Sequence, residues 1–185
     1  MPGSIKIDDG SGNYTILTNA GSLGSDKTLT IPNATGTLNL QSGSALQVVE
    51  GTDSSAANIT DTDYQATGLS ASITPSSTSN KVLVIVCHHI QVYAPGDIPY
   101  GYIQLLRDTT AIVDGVPIGA KFDAHEGDNN AYKANPATII KLDSPSSTSS
   151  ITYSTKGKYA GSGAGYVTTA QNNATETITL IEIGG

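Results

Sequence analysis

Three consecutive residues, Cys87, His88 and His89, offer a thiol and two imidazoles, groups that ligate transition metals or act as nucleophile and base. Successive side chains of an extended chain point to opposite faces, so Cys87 and His89 share one face and His88 projects from the other. Structural zinc sites draw on spaced ligand pairs and about four ligands, which this triplet does not supply. It therefore reads as a buried cysteine beside core or interface histidines. A second concentration, Lys121–Asn130, gathers Asp123, His125, Glu126 and Asp128. Carboxylates and imidazole suit a divalent cation, and they equally suit a solvated loop. A hydrolytic triad would need a nucleophile aligned with His125, yet no nucleophile-elbow sequence selects one. Paired glycosidase carboxylates would have to come from Asp123, Glu126 and Asp128, the acidic cluster of the main domain. The glycine-bearing runs Asp8–Asn13 and Gly161–Tyr166 lack the acidic spacing of an EF-hand and the Lys-Ser/Thr of a phosphate loop, and read as turns. Sequons at Asn13, Asn33, Asn58 and Asn173 are chance matches in a chain rich in Asn and Thr. No catalytic residue, metal ligand or cofactor is expected; the remaining candidate is a recognition patch of Tyr93, Tyr100 and Tyr102 on an exposed loop, with packing as its competitor.

The elements that must position these residues read as strands. From Leu46 onward, Val, Ile, Leu and Thr recur at two-residue spacing in ALQVVEG, YQATGLSASIT, NKVLVIVCHHIQVY, YGYIQLLRD, TAIVDG, PATIIKLD, SITYSTKGKY and TETITLIEI, with a shorter run at ANIT. Gly-, Pro- and Ser-rich turns such as TPSSTSN and DSPSSTSS separate them, and no amphipathic helix is legible. Strands of this number and length predict an all-β fold, a β-sandwich of jelly-roll type. The strand Lys81–Tyr93 is apolar in both phases at its start, with Val82, Val84 and Val86 on one face and Leu83, Ile85 and Cys87 on the other. A sandwich strand buries one face, so the second predicts either a subunit interface, with a homotrimer as the symmetric solution, or a covering loop.

Residues 1–41 form a separate arm. Short apolar pairs, Ile5 and Ile7, Tyr14 and Ile16, Leu29 and Ile31, Leu38 and Leu40, alternate with tight turns and make a thin apolar stripe. An isolated set of such hairpins is marginal in water, which makes these eight residues candidate anchoring contacts to another chain. Residues 42–45 then read as a flexible joint before the domain 46–185.

Charge narrows the partners. Only 14% of residues are charged, below the ~25% of an ordinary domain, so surface polarity comes from Ser, Thr, Asn and Gly. A net charge of -7 with no Lys/Arg cluster argues against nucleic acid. The longest uncharged apolar run, Val82–Cys87, is far short of the ~20 residues of a membrane span. With one cysteine there is no intrachain disulfide, and Met-Pro-Gly-Ser at the start is unlike a signal peptide, so synthesis in a cytoplasm is expected.

The segment SIKIDDGSGNYTILTNAGSLGSDKTLTIPNATGTLNL resembles the N-terminal segments of fibre-like and capsid-associated structural proteins of tailed bacteriophages, particularly those of cyanobacteria and marine bacteria. SITPSSTSNKVLVIV, GYIQLLRDTTAIVDG, IIKLDSPSSTSSITY and ETITLIEIGG are similar to a β-rich module of the same kinds of protein. The resemblance implies a trimeric, non-enzymatic virion protein made in the host cytoplasm. One short arm leading into one domain suits a capsid decoration or cement protein, or a short head fibre, bound to the major capsid protein or another virion protein through the arm. The alternative is a short tail fibre that holds the tail by its arm and meets a host surface glycan or protein with the sandwich.

Overall fold

The computed structural model describes residues 4–8, 14–18, 42–95, 100–118, 131–161 and 164–185. The chain divides into two units, Met1–Asn39 and Leu40–Gly185. In the first, β1 (Ser4–Asp8) and β2 (Tyr14–Thr18) form an antiparallel hairpin. Its register opposes Ile5 to Leu17 and Ile7 to Thr15, but Lys6 to Ile16 and Asp8 to Tyr14. Leu29, Ile31, Leu38 and Leu40 lie outside the described residues, as does the Asp123–Asp128 cluster.

The second unit is all-β, with two antiparallel sheets and no α-helix among the described residues. Its strands are β3 (Ala45–Asp53), β4 (Asn58–Ile59), β5 (Gln65–Ile73), β6 (Lys81–Ala94), β7 (Gly101–Arg107), β8 (Thr110–Ile118), β9 (Ala131–Asp143), β10 (Ile151–Tyr159), β11 (Tyr166–Thr168) and β12 (Glu176–Ile183). One sheet has the order β5-β10-β7-β8. In the other, β6 is central: β12 and β11 flank it in succession on one side, leading to β3 and β4, and β9 pairs along its other edge. Period-two burial aims one phase of each sheet at the other. Val82, Val84, Val86, Ile90 and Val92 of β6 pack with Ile178 and Leu180 of β12 against Leu69, Ile73, Ile103, Leu105, Ile151 and Tyr153 of the facing sheet. Gly51 of β3 faces the Ser70 carbonyl of β5, where any Cβ would collide with backbone, so glycine lets the two sheet edges close together there.

Both crossovers between the sheets at one end are built on the same five residues, Pro-Ser-Ser-Thr-Ser, at 75–79 (β5 to β6) and 145–149 (β9 to β10). Because β5 pairs with β10 and β6 with β9, these turns run side by side. Each carries the same local bond, Ser79 N–H to Ser77 Oγ (3.3 Å) and Ser149 N–H to Ser147 Oγ (3.0 Å). Glu182 closes the first turn from beneath. Its carboxylate accepts from the Ser76 N–H (2.6 Å) and hydroxyl (2.8 Å), from Asn80 Nδ2 (2.5 Å) and from Gln47 Nε2 (2.6 Å). Asp143 closes the second end, accepting from the Tyr153 hydroxyl (2.8 Å) and from Arg107 Nη1 (2.9 and 3.1 Å). Burial first, and then the bond to Asp143, raises the Tyr153 phenol.

Burial pushes the Glu182 carboxyl up, but the bonds from Asn80, Ser76 and Gln47 outweigh it and carry it from 4.5 down to about 2. A carboxyl depressed on folding adds stability above its unfolded value and loses it as pH falls toward the folded one. Glu182→Gln is therefore expected to cost a few kcal/mol near neutral pH, at about 1.36 kcal/mol per pK unit, with the gap to wild type closing as pH falls from about 4.5 toward 2. Urea unfolding of both proteins across that range checks it; a gap independent of pH contradicts it.

Candidate functional site

The chemistry-bearing triplet divides as its alternation requires. His88 is buried on the inner face of β6, His89 is exposed on the outer face, and Cys87, expected to be buried, is partly exposed beside it. The correction for Cys87 follows from the outer phase of β6 facing no other described strand of the second unit. Among the described residues no group of three His, Cys, Asp or Glu is placed to hold a metal ion.

His88 reaches partners that the sequence reading did not single out. Its Nδ1 lies 2.7 Å from Glu176 Oε2 and its Nε2 lies 2.9 Å from Thr155 Oγ1. Thr155 Oγ1 is 2.6 Å from Thr67 Oγ1, and the Thr67 hydroxyl also lies 3.1 Å from the Thr155 carbonyl. Glu176 Oε1 accepts from the backbone N–H groups of His89 (2.9 Å) and Ala170 (2.8 Å). Hydroxyl, imidazole and carboxylate thus stand in the order of a nucleophile, its base and the group that orients the base. Nucleophilic attack also needs access, and Thr155, His88 and Glu176 are each at most 1% exposed. What the chain of bonds does in this geometry is tie β5, β10, β6 and β12 together through the core, with each polar atom satisfied inside it. The signal was present in the strand phase. Glu176 alternates with Ile178 and Leu180, and His88 with Val86 and Ile90, so both are in step with buried apolar neighbours.

The outer face of the β6 sheet is the larger surface feature. Register aligns Val48, Ile181, Leu83 and Leu142 in one row across β3, β12, β6 and β9. The adjoining row is Glu50, Thr179, Ile85 and Ile140. Ile140 is 67% exposed, Val48 62%, Leu142 50% and Leu46 49%. Apolar side chains open to solvent singly are ordinary, whereas a contiguous group of this kind marks an interaction surface. One row further the face turns polar, with Thr52, Thr177, Cys87 and Thr138.

Two tyrosine pairs are in ring contact. Tyr93 on β6 stacks at 5.1 Å with Tyr166, while Tyr100 meets Tyr102 of β7 edge-on at 6.3 Å. Lys158 Nζ lies over the Tyr102 ring at 5.4 Å and over Tyr64 at 4.6 Å. No protein-family description matches the chain and no curated protein is similar to it.

The buried network makes a stability prediction. Removing one partner strands the other's polar atoms in the core, so His88→Leu and Glu176→Leu are each expected to cost about 3–5 kcal/mol, and the double variant less than their sum. Urea denaturation of the four proteins measures the coupling; additive losses contradict it.

Proposed function

We propose that this chain is a non-enzymatic structural protein of a bacteriophage virion, a homotrimer that decorates or cements the capsid, or stands on it as a short head fibre. The observation that carries an assembly role is the uncharged apolar row Val48, Ile181, Leu83 and Leu142 with its neighbours Ile140 and Leu46. A patch without charge at its centre is complementary to itself, and covering it with a second copy removes apolar area from water at about 25 cal/mol per Å2. Three copies rather than two, and the virion setting, rest on the resemblance of the segments 4–40, 72–86, 101–115, 139–153 and 176–185 to phage fibre and capsid-associated proteins.

A jelly-roll arrangement is supported by the eight longer strands, which fall into β3-β12-β6-β9 and β5-β10-β7-β8, where every pairing but the β7–β8 hairpin joins strands that are not consecutive in the chain. In this reading the arm binds the major capsid protein, with Ile5, Ile7, Tyr14, Ile16, Leu29, Ile31, Leu38 and Leu40 as its contacts. The second reading, a tail fibre contacting a host surface, draws on Tyr100, 38% exposed beside Tyr102.

Purified full-length chain is expected to co-sediment with phage heads that lack it, and antibody against it to label heads rather than tails. Val48→Asp combined with Ile140→Asp is expected to keep the β-type circular dichroism while losing that co-sedimentation, because single arms bind weakly without the avidity of an assembled set. Label confined to tails moves the assignment to the fibre reading; no label on any particle contradicts both.

A further inference from the structure

The loop that joins β11 to β12 is costly to hold in place. Thr169 Oγ1 is buried without a hydrogen-bond partner, and Ala170, Asn172 and Asn173 have φ of 48°, 59° and 58°, in the left-handed region that L-residues other than Asn and Asp avoid. Asn relieves part of that cost at two positions, but Ala170 has no such excuse and is fully buried. A backbone held in such a state is over-determined by its surroundings. Here the agent is Glu176: one oxygen accepts from both the Ala170 N–H of the loop and the His89 N–H of β6, locking the two elements in fixed relation.

What this lock shapes is a depression of about 350 Å3 between β6, β9 and the loop, at the lower end of the range for small-ligand sites. His89, Gln171 and Asn172 line it together with Ile90, Ala134 and Pro136. Asn172 and His89 are exposed, and Gln171 Nε2 stands 3.5 Å from Gln91 Oε1, long for a hydrogen bond. We propose that this depression binds an uncharged saccharide unit.

The choice of ligand follows from the lining. Among the described residues that line it there is no carboxylate, lysine or arginine, so none of them offers a counter-charge to an ionic ligand. The two amides each offer a donor and an acceptor, and an imidazole adds ring nitrogens; groups of both kinds match sugar hydroxyls, which themselves donate and accept. Pro136 and Ala134 supply the apolar surface on which the C–H face of a pyranose rests. A preformed lining spares the ligand the cost of ordering the loop. The site is separate from the apolar rows: His89 lies four residues along β6 from Ile85 of the nearer row, about 13 Å at ~3.3 Å per residue, with the Cys87 row between. It is also separate from Tyr100 and Tyr102 on the other sheet, and it stands whether or not the chain belongs to a virion.

Saturation-transfer NMR on the full chain with methyl glucoside, methyl galactoside and N-acetylglucosamine tests this, with glycerol as the non-specific polyol. At least one sugar is expected to receive saturation in the millimolar range, with glycerol receiving none. His89→Ala and Asn172→Gly are each expected to weaken the effect about three- to tenfold without moving the unfolding midpoint, since glycine accepts the Asn172 backbone; Tyr102→Ala is expected to leave it unchanged. Transfer to none of the three sugars, equal transfer to glycerol, transfer that survives both pocket variants, or loss on Tyr102→Ala instead overturns the proposal.

Discussion

A strand that is apolar in both phases must have both faces covered, and β6 imposes that condition on the rest of this protein. Its inner phase, Val82 to Val92, is met by the β5-β10-β7-β8 sheet and forms the centre of the core. Its outer phase, after Lys81, carries Leu83 and Ile85 and is extended sideways by Ile181, Val48, Leu142 and Ile140 from the strands on either side. Within the second unit no described strand covers that outer phase. The proposed assembly would cover it, in a chain whose surface polarity depends little on charge.

The interior is held to one arrangement by polar groups as much as by apolar ones. Glu176, Glu182 and Asp143 all point inward, and each fastens something that packing alone would leave loose: a left-handed loop, a crossover turn, and the pairing of β7 and β10 ends. Glu182 and Asp143 both lie opposite Val82, so one row of the sheet ends the core with a carboxylate on each side of β6. Buried charges are costly unless fully hydrogen-bonded. These are supplied with several donors each, which restricts the chain to the one geometry in which those donors converge.

Much of the β architecture was legible because strand periodicity is local. The two-sided character of β6 and the division of His88 from Cys87 and His89 follow from alternation alone. Pro136 and the short TAIVDG run concealed more: β9 starts five residues before Pro136, and β8 continues through Pro117, because each is an edge strand whose free side tolerates a missing N–H. Three-residue β11 is too short to show a period. The register of the β1–β2 hairpin depends on its turn, which side-chain pattern does not reveal. The buried network was missed for a different reason: Thr67, Thr155, His88 and Glu176 come from four strands up to 109 residues apart, the span from Thr67 to Glu176, and only the pairing order brings them together. Its trace in the sequence was polar residues in phase with apolar ones, which reads equally as a strand of the opposite facing.

The claim that bears the most weight is that the outer face of the β6 sheet is closed by further copies of the same chain. Sedimentation equilibrium of the wild-type protein at micromolar concentration measures this directly. The account predicts a single species of three times the 18.9 kDa chain mass; a monodisperse 18.9 kDa species, with Val48, Leu142 and Ile140 left in water, contradicts it.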